Sequence, residues 1–287
     1  MLSRKFTLSL PNGKQLAGWQ RWRIPTARSF ASLRMTCGAA FAAALLAGFP
    51  LGPGDPAPTS RGEVSSPGGV VVANPAVPVS EDEVLRGNPE RPWVALVFNV
   101  GAGHEPGTAI LDTLAEKGYR ASFFVLGWWA DRRPELLARI ANEGHEIAQH
   151  GHSVFDLTKV SDAEVQADLA AADASISAVT GRTTKPLWSP SAGYRDARVR
   201  RIVADMGYRP IIWSFDSGDW TYTATAESVY QKVMANVENG SIVVMHFDSP
   251  TTVNSTAVAL PWLIDDIRAA GYRLVTVTEL LTADPSG

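Results

Sequence analysis

The chain has a single cysteine, Cys37, so an intrachain disulfide and a zinc site built from several thiolates are both excluded. Any metal would have to rest on histidine and carboxylate side chains. There is no excess of positive charge: the net charge is -3 and the pI about 6.0, which argues against nucleic acid as a partner. No glycine-rich dinucleotide fingerprint follows an early strand, which disfavours a doubly wound nucleotide-binding sheet. Nor is there an apolar run of about 20 residues, the length of a typical membrane helix. The first 54 residues contain no acid at all.

What those residues do contain is base. Arg4, Lys5, Lys14, Arg21, Arg23, Arg28 and Arg34 all precede the apolar run "CGAAFAAALLAGFPL", residues 37–51. A positive flank before a short Ala- and Gly-rich segment is the pattern of a signal-peptide core or an uncleaved signal anchor, and its charge asymmetry predicts export. The protein is then expected to be secreted or membrane-anchored and to face the cell exterior. The length of the flank leaves two other readings, a start codon assigned too far upstream and a buried Ala-rich helix. Cys37 comes before the apolar run, not after it, so a lipoprotein is excluded. Residues 1–51 are read as basic flank plus signal peptide or anchor, and residues 52–90, rich in Pro, Gly and Ser without a sustained period, as a linker.

From Trp93 onward, short β-branched or apolar runs alternate with amphipathic stretches. Seven strands are predicted, at 93–98, 121–126, 145–149, 186–189, 210–214, 241–246 and 272–277. The helical stretch after residue 160 opens with a capping box, Ser161 to Glu164, and helices close on Gly118, Gly144, Gly181, Gly207 and Gly271. Strands alternating with helices imply parallel pairing, and seven such repeats favour a β/α barrel. At 45% hydrophobic content the chain can bury a core of this size in one domain, residues 91–282.

In parallel barrels the chemistry collects at the carboxyl ends of the strands. Those ends carry "NVGAGHE", "HGHS", "PSAGYRD", "FDSGDW" and "HFD". Three of the five histidines, His150, His152 and His246, fall there with Asp216 and Asp219, and His104 lies on the first loop.

These residues carry a family resemblance. Residues 93–281, and above all "GYRASFFVLGWWADRRPELLARIANEGHEIAQH", resemble a polysaccharide deacetylase (NodB homology) domain of carbohydrate esterase family four. The resemblance implies a deformed seven-stranded β/α barrel. It also implies a divalent metal, usually zinc, and removal of acetyl groups from acetylated sugars.

The motifs depart from the family one by one. Its first motif resembles TFDDGP, with a base and then a metal ligand; here those positions are Asn99 and Val100. An amide has no useful basicity and an isopropyl group ligates nothing. Its second resembles H-S/T-x-x-H; His150 fills the first place, Val154 the second, and His152 would share the face of His150 on extended chain and is a possible substitute ligand. Its third resembles R-x-P-Y-G; Ser189 and Ala192 replace Arg and Tyr, while Pro190 and Gly193 remain. The fourth is intact in Asp216, Asp219 and Trp220. The fifth keeps His246, which the resemblance makes the general acid, oriented by Asp219.

One imidazole at a ligand position does not hold zinc well, so metal is expected to be absent or weakly bound. The expectation is a family member of the cell envelope that binds or acts on acetylated cell-wall or extracellular polysaccharide with its catalysis impaired, reaching the membrane through its N-terminal segment. Asp216, Trp220, Trp188, Ser189, Pro190 and Gly193 are the expected substrate contacts, and Trp128 and Trp129 stand near strand ends where rings could stack on sugars. Two other readings stay open: an active deacetylase with a rearranged metal site using His150, His152 and His246 or Asp219, and a purely structural domain. A histidine–carboxylate pair can also simply satisfy two polar groups at a barrel mouth.

Overall fold

The computed structural model describes residues 77–103 and 105–282 and, in the N-terminal segment, only a short antiparallel pair, β1 (Leu8–Ser9) with β2 (Gln15–Leu16). Cys37, the apolar run 37–51 and His104 lie outside the described residues. The chain divides into two units, Met1–Val71 and Val72–Gly287.

The second unit is built on β3 (Trp93–Val100), whose eight residues are nearly all buried. Chain order then runs α1 (Gly107–Glu116), β4 (Ser122–Val125), α2 (Gly127–Arg132), α3 (Pro134–Asn142), β5 (Glu146–Gln149), α4 (Asp162–Thr180), β6 (Leu187–Trp188) and α5 (Ala197–Asp205). It continues with β7 (Arg209–Pro210), β8 (Phe215–Asp216), α6 (Ala226–Asn236), β9 (Ser241–His246), α7 (Thr256–Ala269), β10 (Arg273–Leu274) and α8 (Val277–Leu281). All pairings along the order β7-β6-β5-β4-β3-β9-β8 are parallel, and β10 adds to the first residues of β3. The architecture is the deformed β/α barrel expected from the sequence. Among the described residues no helix is long and apolar enough to cross a membrane.

Parity explains why β3 reads as a continuous apolar run. Successive side chains point to opposite faces of a strand, and a sheet covered on both faces buries both sets. Val94, Leu96 and Phe98 pack outward under the helices with Ile110, Leu114 and Val243. Ala95 and Val97 point inward to Phe124, Ala148, Ile242 and Val244, which fill the barrel interior. The same alternation places Asn99 on β3 and His246 on β9 on the inward face, and the two are register partners.

The strand predicted at 210–214 is where structure and sequence differ. The regular ladder is interrupted across it: β7, which ends at Pro210, lies beside β6, and β8, which begins just beyond it at Phe215, lies beside β9. The Ile211 amide still donates to Trp188 on β6, but the Ser214 amide donates to Ile242 on β9. One segment therefore touches both ends of the sheet and curls it into a barrel. The wedge left between them is filled by residues 84–86, with Val84 bridging in parallel to Ile211 and Arg86 antiparallel to Ser241. Within the stretch 52–90 expected to be a linker, Val77 and Val84 are buried in the barrel interior. Apolar side chains spaced through a Pro- and Gly-containing stretch carry no period, so the pattern gave no strand.

The capping box of α4 forms as read: the Ser161 hydroxyl accepts from the Glu164 amide, while the Glu164 carboxylate accepts from the Ser161 amide at 2.8 Å. The helix stops at Gly181, whose φ of 69° is cheap for glycine alone.

Candidate functional site

Four inward-facing strand ends meet at one cavity of about 660 Å3 at the carboxyl end of the barrel: Asn99 of β3, His246 of β9, Asp216 of β8, and His150 immediately after β5. Its other walls are mostly apolar, among them Leu126, Trp128, Val154, Phe155, Trp213 and Trp220. Two buried carboxylates shape its loops. Asp248 accepts from the amides of Gly101, Ala102 and Gly103 at 2.7–3.1 Å, and Asp168 from those of His152, Ser153 and Val154 at 2.8–2.9 Å. Each replaces water around three amides that would otherwise be orphaned at the end of a strand.

His246 and Asp219 form a tight pair. The Nδ1–H of His246 donates to Asp219 Oδ1 at 2.8 Å, and the His246 amide donates to Oδ2 at 2.7 Å. The Thr256 hydroxyl also donates to Oδ2. Asp219 is wholly buried, so it cannot meet a ligand itself; it positions the imidazole and leaves Nε2 for the cavity. Burial alone would push the His246 pKa down, but the hydrogen bond to Asp219 and the negative charge of Asp219, Asp216 and Asp248 hold it above its ordinary value. His150 goes the other way. Burial, reinforced by the nearby His246, takes its pKa down to about 4, against the partial opposition of its hydrogen bond to the Ser189 carbonyl. That bond, 2.8 Å from Nδ1, fixes the proton there and leaves Nε2 a lone pair.

The remaining positions do not complete a metal centre. Val154 lines the cavity where a second histidine would stand. Val100 has the opposite parity to Asn99 and is sealed in the helix-side core, although it also touches the cavity. The Asn99 side-chain oxygen is buried and accepts no hydrogen bond. Among the described residues no three His, Cys, Asp or Glu side chains gather closely enough to hold a metal ion. A catalytic zinc needs three protein ligands, and this donor set does not fit one.

Several residues singled out from the sequence take other places. His152 is turned away from the cavity: its ring packs against Gly127, with Nε2 3.4 Å from Asp131. The loop bends after His150 to bring its amides to Asp168, so the extended geometry that would have put both imidazoles on one face is lost. Trp188 has outward parity and is fully buried among Val165, Leu169, Val199 and Val203. It is a core residue, not a substrate contact. Ser189, Pro190 and Gly193 do not line the cavity; Ser189 acts through its carbonyl on His150, and Gly193 packs on the Trp213 ring. Trp129 is likewise core, its indole donating to Gly103. Asp216 and Trp220 do line the cavity and are joined, Trp220 Nε1 donating to Asp216 Oδ2 at 3.0 Å, and Trp128 is the other predicted ring on the wall. Phe155 and Tyr194 were not singled out from the sequence although each immediately follows a motif, which is the signal that could have found them; Trp213 lies inside the stretch predicted as a strand at 210–214 and carried no such signal.

Comparison with known proteins gives a consistent result. The family profile for polysaccharide deacetylase matches residues 86–211. The uncharacterized protein YlxY of Bacillus subtilis is 34% identical over 203 residues, 70% of this chain, and the chain spans only 60% of its length. A peptidoglycan-N-acetylglucosamine deacetylase of Bacillus cereus is 29% identical over 197 residues, covering 66% of this chain and 87% of that protein. Among solved structures, BA3943 of Bacillus anthracis, described as a CE4 family pseudoenzyme, superposes with a TM-score of 0.65 at 27% identity over 71% of this chain and 70% of that one.

Proposed function

The chain belongs to the polysaccharide deacetylase family, and from that premise we propose that it is a cell-envelope protein that binds acetylated glycan, peptidoglycan or chitin-like, with its hydrolytic step impaired. One observation carries the reading. The cavity retains the proton-donating pair His246–Asp219, while the neighbouring strand end offers Asn99, whose amide cannot take a proton from water. Without a base or a metal-ligand set, the attacking water stays near its bulk pKa. What the site still does is hold a sugar: the imidazole of His246, when protonated, donates from Nε2 to an oxygen of the ligand, Asp216 accepts from a hydroxyl, and the apolar walls take the acetyl methyl group and ring faces. The basic flank and apolar run of residues 1–51 support export, secreted or tethered, to the side of the membrane where such polymers lie.

The intact His246–Asp219 pair favours a second reading, residual deacetylation. Elemental mass spectrometry on protein dialysed against trace zinc separates the two. The expected result is well below one zinc per chain. Near-stoichiometric zinc that vanishes in His150→Ala would overturn impairment and call for acetate-release assays. The combined substitution Asn99→Asp, Val100→Asp, Val154→His and Ser189→Arg is expected to gain zinc and to release acetate from acetylated glycan where the parent releases none. A BA3943 mutant with restored enzymatic activity is a precedent for such a gain.

A further inference from the structure

We propose that Phe155 and Tyr194 form a sugar-stacking platform that extends the cavity outward, so that the ligand is a neutral oligosaccharide chain and not a single sugar. The inference rests on the glycan-binding reading above and deepens it.

Both rings are left in water: Phe155 is 64% exposed and Tyr194 45%. They come from different loops, after β5 and after β6, yet meet edge to face with centroids 5.4 Å apart and planes at 66°. Exposed aromatic surface gains nothing from folding, and two such rings brought together at a cavity rim mark a binding surface. The surface is continuous with the cavity, because Phe155 also lines it.

Both loops are fixed in advance. The three residues before Phe155 hang on Asp168, and the residue after it, Asp156, accepts from Thr158 at 3.0 Å through the amide and at 2.6 Å through the hydroxyl. Tyr194 follows a tight turn, Ser191–Gly193, in which Ala192 has φ 49°, the only non-glycine residue with positive φ among those described. The Tyr194 amide closes this turn on the Ser191 carbonyl at 3.0 Å. Left-handed alanine is strained, and strain kept at a rim that presents an exposed ring points to use of that ring. Rings held in place lose little freedom on binding, which favours affinity.

Charge selects the occupant. Arg195, next to Tyr194, is neutralised by Glu83 through a two-pronged contact at 2.8 and 3.1 Å, and Asp156 and Asp196 are engaged in capping their own turns. A neutral aromatic shelf beside satisfied charges fits the apolar face of an N-acetylated pyranose, not an anionic polymer. With one sugar in the cavity, the next along the chain lies over Phe155.

The test is calorimetric titration of the full chain with β-1,4-linked N-acetylglucosamine oligomers from the monosaccharide to the hexasaccharide. Affinity is expected to rise with length. Phe155→Ala and Tyr194→Ala should each weaken hexasaccharide binding by about tenfold, and Tyr194→Ala, which lies outside the cavity wall, should leave the shortest bound oligomer unchanged, while Phe155→Tyr keeps the gain with length. A wild-type gain with length that survives both alanine substitutions overturns the platform. Binding independent of length overturns it and leaves the glycan reading standing. No binding of any oligomer, nor of insoluble peptidoglycan, overturns both.

Discussion

Asn99 and His246 stand side by side on adjacent strands, and the contrast between them defines the site. His246 has a wholly buried partner in Asp219; the Asn99 oxygen has none. The two histidines of the cavity are shifted in opposite directions by their surroundings. His150 is neutral because burial outweighs its bond to Ser189, and His246 is kept protonatable by three carboxylates that outweigh burial. The sign of the resulting pH dependence follows. The folded-state pKa of His150 lies at about 4 against 6.5 when unfolded, so the stability it contributes is present above pH 6.5 and lost as pH falls toward 4. The span is worth about 3 kcal/mol. His246, with a raised folded pKa, stabilises below 6.5 and fades as pH rises through its folded value. Chemical denaturation between pH 4 and 7 should therefore show a steep acid loss in wild type and a shallower one in His150→Gln; equal slopes would refute the neutral assignment.

Strand parity sorts the aromatic side chains. Leu187 of β6 faces the interior, so Trp188 must face the helices, where it is enclosed by α4 and α5. Trp220 sits on a loop past β8, half in water. Trp188→Ala is expected to cost about 3–5 kcal/mol in urea unfolding, and Trp220→Ala less than about 1 kcal/mol while weakening glycan binding. The same parity shows why much of the site was readable and some was not. Once the strands were placed by their apolar runs, Asn99, His150, Asp216 and His246 fell at strand ends on one side of the sheet. What sequence could not supply was the path of the chain just beyond those ends. His152 is diverted because Asp168, on a helix that begins ten residues later, draws the loop toward itself. The face of Trp188 depended on the register of a two-residue strand, too short for any periodicity to fix. The split of the 210–214 strand is equally silent in sequence, since its apolar residues serve both halves.

For the whole barrel, the decisive element is the stretch before β3. Residues 84–86 fill the wedge where β7 and β8 diverge, and Val77 plugs the interior. A chain starting at residue 91 should be less stable than one starting at Val72 by about 3 to 6 kcal/mol, the burial of two valines, as measured by urea unfolding of the two proteins. Equal midpoints would show that the stretch is an ornament.

That wedge also sets a timetable. Val84 and Arg86 lie ahead of the first strand of the barrel, yet their partners, Ile211 and Ser241, come near its end. Contacts so distant along the chain are slow to form, since a long loop must close before they return anything. During synthesis the barrel stays open, its first segment waiting, until almost the whole domain has emerged. A nascent chain in that condition has not committed to its compact shape, and the export proposed above would draw on that delay.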